Sequence, residues 1–175
     1  ARRDDGIKLE YGEINPSFFR QTFANYEIIA EENDKVFEYE NQVDRSLVSD
    51  KVLLKQLMTI LFDNALKYTE EDGKIRFVAQ FKDRYLYLRL EDNGPGIPDE
   101  AKKRIFDRFY RVDKARTRQK GGFGLGLSLA KQIVEAFNGT IAVRDNKPKG
   151  TIFEVKLTTK SDSKKKSSSK STKNK

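Results

Sequence analysis

The chain has 175 residues, enough for one domain with a single core, and a formal net charge of +8. It contains neither Cys nor His, which excludes disulfides, thiolate or imidazole metal sites, and His-based nucleophilic catalysis. Residues 158–175 hold seven Lys and one Asp, a net +6, so the body carries only +2; the basic balance belongs to the tail, and no specific nucleic-acid partner is expected from it.

In chain order, residues 7–11 (IKLEY) alternate and predict a short strand. Pro16 opens a helical pattern carrying Phe18, Phe19, Phe23, Tyr26, Ile29 and Ala30, and Pro suits a first turn. A second strand is predicted over 36–39. Ser49 is the expected N-cap of a long helix running to about Tyr68, and Glu70-Glu71-Asp72-Gly73 is a turn. Residues 75–81 and 85–91 predict a hairpin across Lys82-Asp83-Arg84. After "DNGPGIP", a short helix is expected over 99–108, a charged loop over 111–122, and a helix over 124–137 with Leu125, Leu129, Ile133, Val134 and Phe137 on one stripe. Strands over 140–144 and 151–157 close the fold across "DNKPKG". From residue 158 on, Lys and Ser dominate, with nothing to bury, and disorder is expected. No apolar run approaches the roughly 20 residues that span a bilayer, and no signal-like segment opens the chain. The start at Ala1, without Met, reads as part of a longer protein. Mixed helices and antiparallel hairpins predict an α+β sandwich, one mostly antiparallel sheet with helices on one face.

Two polar residues fall on core faces. At about 100° per residue, Asn64 lies within roughly 20° of Leu57, in the middle of the apolar stripe, while Asp63 points elsewhere and Lys67 sits on the edge. On the strand YLYLRLED, Leu86, Leu88 and Leu90 share a face and Asp92 is next in that series. A buried amide without a partner costs about 2–7 kcal/mol, and a charge more. Local capping could satisfy either residue alone: Asn64 on loop backbone, Asp92 on the turn at Asn93-Gly94. The two together, followed by glycine-rich loops with Gly94 and Gly96, then Gly121, Gly122, Gly124 and Gly126 at the mouth of a helix, favour a ligand site between helix and sheet, with free N–H groups suited to phosphate. The loop carries Arg111, Lys114, Arg116, Arg118 and Lys120 against Asp113, a local +4 that suits an anion and equally a solvated loop. A P-loop, a dinucleotide fingerprint and a His-Arg-Asp kinase loop are all missing.

"LFDNALKYT", "EDNGPGIP", "IFDRFYRVD" and "GGFGLGLSLAKQIVEAFNGTI", in this order, resemble the N, G1, F and G2 boxes of bacterial sensor histidine kinases, over about residues 50–157. The resemblance implies a two-layer α/β sandwich of the Bergerat type in the histidine-kinase and Hsp90-like ATPase superfamily. A mixed, mostly antiparallel sheet would pack on about three helices, and ATP would lie between the layers. It divides the chain into the end of a linker (1–12) from a missing dimerisation and phosphoacceptor domain, a catalytic ATP-binding domain (13–158) and a tail (159–175). It makes Asn64 the Mg2+ ligand, Lys67 and Arg111 phosphate contacts, Tyr68 a packing partner of adenine and Asp92 the acceptor of the adenine 6-amino proton. Gly94 and Gly96 would admit the base and Ile97 line its pocket. Phe106, Phe109 and Tyr110 would anchor the lid, and Gly122, Gly124, Leu125, Gly126 and Leu127 would close it.

The implied partners are ATP, a histidine-bearing dimerisation domain and, through the parent protein, a response regulator. The parent would be a dimeric membrane sensor kinase with this part in the cytoplasm, and the fragment alone would be monomeric. Without a His it is not expected to phosphorylate itself. Many members carry a second Asn one turn before the metal ligand, where this chain has Ile60. Two rivals stand beside this reading. One is a chaperone- or topoisomerase-type ATPase, whose water-activating carboxylate could only be Asp63. The other is a module that binds nucleic acid or membrane through its basic tail.

Overall fold

The computed structural model describes residues 6–110 and 126–160. Along them run β1 (Gly12–Ile14), α1 (Pro16–Glu32), β2 (Val36–Gln42), β3 (Leu47–Ser49), α2 (Lys51–Tyr68), β4 (Lys74–Lys82), β5 (Tyr85–Asp92), α3 (Asp99–Lys102), α4 (Gly126–Ala136), β6 (Thr140–Asp145) and β7 (Thr151–Thr158). The α+β sandwich is as expected. Five strands in the order β2-β4-β5-β7-β6 form one sheet, and β1 pairs with β3 in a small second one. β2 and β4 run parallel, which requires a crossover, and α2 supplies it. The other pairs are antiparallel. Asp83 and Arg84 both have positive φ, 53° and 68°, the conformation a tight two-residue hairpin demands.

Alternation assigns the faces. Phe77, Leu90, Phe153 and Val143 share one cross-strand row, and Ala79, Leu88, Val155 and Ile141 the next, all on the inner face. Against them pack Phe19, Phe23, Leu57, Leu61, Phe62, Ile133 and Val134 from the helices, all buried. Tyr26 and Phe62 stack at 4.2 Å between ring centroids, and the Tyr26 hydroxyl and the Thr59 hydroxyl share a 2.7 Å hydrogen bond, joining α1 to α2. On the outer face an alternating series of ion pairs crosses the sheet from Glu40 through Arg76, Glu91, Arg89 and Glu154 to Arg144.

Five local expectations are corrected. Residues 7–11 do not form the first strand; it forms at Gly12–Ile14. Ile7 and Leu9 do pack on the core, but the Glu10 N–H donates to the Asp50 carboxylate at 2.7 Å instead of to a neighbouring strand. The cap of α2 is Asp50, whose Oδ1 accepts the Leu53 N–H at 2.9 Å, because Ser49 is engaged opposite Gly12 in the small sheet. The strand at 36–39 extends to Gln42, held along its length by β4. The helix expected over 99–108 stops at Lys102 and continues as tight turns, with N–H groups of Arg104, Asp107 and Tyr110 donating three residues back. Disorder does not begin at 158: Thr158 ends β7, and the Thr159 and Lys160 N–H groups donate to the Arg84 and Val48 carbonyls; the tail beyond residue 160 lies outside the described residues.

Candidate functional site

The inner face of the sheet ends in a row unlike the others: Ile75, Asp92, Thr151 and Asp145, side by side on β4, β5, β7 and β6. The same alternation that buries Leu86, Leu88 and Leu90 carries Asp92 inward, leaving it only 8% exposed. Its Oδ1 accepts the Gly94 N–H at 2.9 Å, and the Thr151 backbone N–H also donates to it. Burial pushes the carboxyl above the ordinary range, and these two N–H bonds pull the other way without cancelling it. The local capping reading of Asp92 is therefore realised in part. A carboxylate has about four acceptor positions, so the two bonds fix its orientation and leave capacity for another donor.

The loop after Asp92 is held close to α2. A side chain on Gly94 would put its Cβ 2.9 Å from the carbonyl oxygen of Tyr68, the last residue of that helix. Gly96 has φ of +83°, which favours glycine. Ile97 is half-buried against the core. Tyr68, Asp92, Gly94 and Ile97 are thus assembled where the end of α2 meets the end of β5.

One turn back on α2, Asn64 is half-buried, and its amide has no hydrogen-bond partner among the described residues. Lys67 is exposed. Gly126 and Leu127 open α4, where Gly126 faces Ile60: a Cβ there would sit 3.6 Å from Ile60 Cγ2. Ile60 therefore makes an apolar seam between α2 and α4. Arg111, Gly122, Gly124 and Leu125 lie outside the described residues. No cluster of three or more His, Cys, Asp or Glu suited to a metal occurs among the described residues. A cation here would have to share its coordination with a bound ligand and water, and the unpartnered amide of Asn64 fits one position of a hard oxygen-liganded ion.

Asp63 is placed differently. It lines a cleft of about 640 Å³ between α1 and α2, together with Phe18, Thr22, Thr59 and Ile60; Asn64, Tyr68 and Asp92 do not line it. Partial burial raises its carboxyl, and Lys67 opposes the shift.

Three residues of this site are missed by reading the sequence. Gly150, at φ +115°, lies so close that an added Cβ would meet the Asp92 carbonyl oxygen at 1.8 Å. Thr151 stands opposite Asp92 in the register, and the Asn146 side-chain amide donates to the Asp92 carbonyl at 2.9 Å. Their only sequence signal is the turn "DNKPKG", which looks like any hairpin end.

The family of histidine kinase-, DNA gyrase B- and HSP90-like ATPases matches residues 49–161. The chain belongs to this family. Within it, the chain is 69% identical over 166 residues to the sensor protein CiaH of Streptococcus pneumoniae serotype 4, covering 95% of this chain and 37% of that protein. It is 40% identical over 121 residues to the signal transduction histidine-protein kinase ArlS of Staphylococcus aureus, covering 65% and 27%. The chain thus spans between about a quarter and little more than a third of the length of these curated relatives. Among solved structures, the nucleotide-free catalytic domain of histidine kinase ThkA superposes with a TM-score of 0.71 at 26% identity, over 85% of this chain and 97% of that one. ThkA has also been captured with the response regulator protein TrrA. This is the ATPase domain of the sensor histidine kinase type.

Proposed function

We propose that this chain binds Mg-ATP between α2 and the Asp92 end of the sheet. There it presents the γ-phosphate to a histidine on a helical dimerisation domain outside the chain, for onward transfer to a response regulator. The observation that carries the reading is Asp92: a buried carboxylate held by two backbone N–H groups, beside a helix end whose Asn64 has no partner among the described residues. Asp92 accepts the 6-amino N–H of adenine, a choice guanine cannot satisfy at that atom. Tyr68 packs on the ring, Gly94 and Gly96 let it approach, and Ile97 lines the slot. Asn64 offers its amide oxygen to Mg2+, while Lys67 and Arg111 contact phosphate oxygens. Gly122, Gly124, Leu125, Gly126 and Leu127 close the lid. When bound, the cation offsets charge on the phosphates. The chain's own residues bind and orient, and the proton on the attacking imidazole is removed by a group outside the chain.

With no His anywhere in the sequence, the chain alone does not phosphorylate itself on histidine. Residues 1–12 then serve as the end of a linker, 13–158 as the catalytic domain and 159–175 as a tail. The parent is a dimeric membrane sensor kinase with this part in the cytoplasm, and the fragment is a monomer. No helix among the described residues is long and apolar enough to cross a membrane. The chaperone-like alternative needs Asp63 to activate water at the nucleotide, and the position of Asp63 in the α1–α2 cleft argues against it. Calorimetric titration with a nonhydrolysable ATP analogue, with and without Mg2+, tests the reading. Binding that strengthens with Mg2+ is expected, and no binding under either condition would refute it.

A further inference from the structure

The turn between β6 and β7 does more than join two strands. Its Asn146 side chain holds the Asp92 carbonyl at 2.9 Å, and Gly150 lies against the backbone of Asp92 and Asn93. Beside Asn146, Asp145, the last residue of β6, falls in the same row as Asp92 and Thr151. Its Oδ1 lies 2.9 Å from the Lys102 ammonium. That ammonium, on a side chain only 16% exposed, also donates to the Ile97 carbonyl at 2.9 Å and to Asp99 Oδ1 at 2.6 Å. Three donors thus meet three acceptors. The loop from Asp92 to Pro98 is consequently fastened at both ends to one turn, through Asn146 at its start and through Asp145 and Lys102 near its finish. Gly96, in the middle, approaches Gly150 as well: an added Cβ would lie 3.4 Å from the Gly150 carbonyl oxygen.

We infer that Lys102 and Asp145 form a clip that sets the width of the adenine slot, which makes Lys102 a positioning residue for the base. This rests on the nucleotide reading above. Lys102 does not touch the base. It acts through the Ile97 backbone, by holding the wall that carries Ile97 at a fixed distance from the Asp92 carboxylate. Lysine suits the task because a single ammonium can serve a carbonyl and two carboxylates that diverge from it, which a methionine of similar length cannot. A wall released from the turn loses adenine discrimination before it loses the fold, because the core rows at Leu88 and Leu90 do not depend on it.

The test is calorimetric titration of the 175-residue chain with ADP and with GDP, both with Mg2+, for the wild type and the Lys102→Met, Lys102→Arg, Asp145→Asn and Lys102→Met/Asp145→Asn variants, with thermal melts alongside. Lys102→Met is expected to weaken ADP by about five- to tenfold, less than the scale of a hydrogen bond to a charged group, because the clip reaches the base only through the Ile97 backbone. GDP affinity should move less than about twofold, so that the ADP preference narrows. Asp145→Asn should do the same to a smaller degree, and the double variant should be no worse than Lys102→Met, because the two groups act as one unit. Lys102→Arg should recover most of the preference. Unchanged ADP affinity in Lys102→Met, or parallel losses for ADP and GDP that track a lower melting temperature, would overturn the clip while leaving the nucleotide reading standing. A wild-type chain that binds neither nucleotide would overturn both.

Discussion

The two halves of the site are built in opposite ways. Around Asp92 everything is fastened: the carboxylate to Gly94 and Thr151, its carbonyl to Asn146, and Gly150 packed against its backbone. Around Asn64 and Lys67 little is: the amide has no partner among the described residues and the ammonium is exposed. The difference follows from what each half would hold. A flat, rigid base is selected by a slot of fixed width, which has to exist before the base arrives. A phosphate chain with its cation brings its own charge and ligands, so the protein supplies only a few oxygens and cations on a helix and leaves the rest open.

The largest effect is expected at Gly150. Gly150→Ala puts a methyl group where the Asp92 carbonyl lies, at a positive φ that alanine adopts poorly, and should cost about 3 kcal/mol or more, seen as a melting-temperature drop of more than about 10 °C. If the turn were a loose hairpin end, the melt would hardly move. Asp92→Asn comes next. Replacing the buried charge removes one acceptor for the 6-amino group, and adenine nucleotide should bind about thirtyfold more weakly, the scale of a hydrogen bond to a charged group.

The same variant separates binding from stability. The folded-state pKa of Asp92 is raised by burial, so the native state holds its proton more tightly than the unfolded chain. Stability from this group is greatest at low pH and falls as pH rises from the unfolded value of about 4 through the raised native one. Above that window Asp92→Asn should melt no lower than wild type while binding far worse, and in the wild type ADP affinity should decline as pH falls through the window. A variant that lost stability and binding together at neutral pH would mean that Asp92 is a structural carboxylate.

At the open half the effects are smaller. Asn64→Ala should remove most of the Mg2+ dependence of ATP-analogue binding, about tenfold, with ADP binding in the absence of Mg2+ nearly unchanged. Retained Mg2+ dependence would move the cation to other ligands. Asp63→Ala should alter nucleotide affinity by less than about twofold, since its side chain opens into the α1–α2 cleft. A large loss of ATP hydrolysis in that variant would revive the water-activating alternative.

Much of this was legible because periodicity is a local property. A period of two carried Asp92 to the helix side of β5, and a period near 3.6 carried Asn64 to the inner stripe of α2, with no knowledge of any partner. Where local signals competed, the nearest reading failed. Ser49 and Asp50 are both good caps, and pairing of Ser49 with Gly12 decided between them. Residues 7–11 alternate like a strand, but the Glu10 N–H had a carboxylate closer than a neighbouring strand. The expected helix over 99–108 had no reason in its own composition to stop at Lys102.

Layers, faces and the two polar groups drawn inside can be read from the residues alone, because each follows from the geometry of a single helix or strand. That Gly150, Thr151, Asn146 and Lys102 gather around the Asp92 loop emerges only when the strands pack. Those contacts join segments far apart in the chain, 54 residues from Asn146 to Asp92, and depend on which strands lie side by side. Strand order is set by how the whole core closes, which no stretch of residues records on its own.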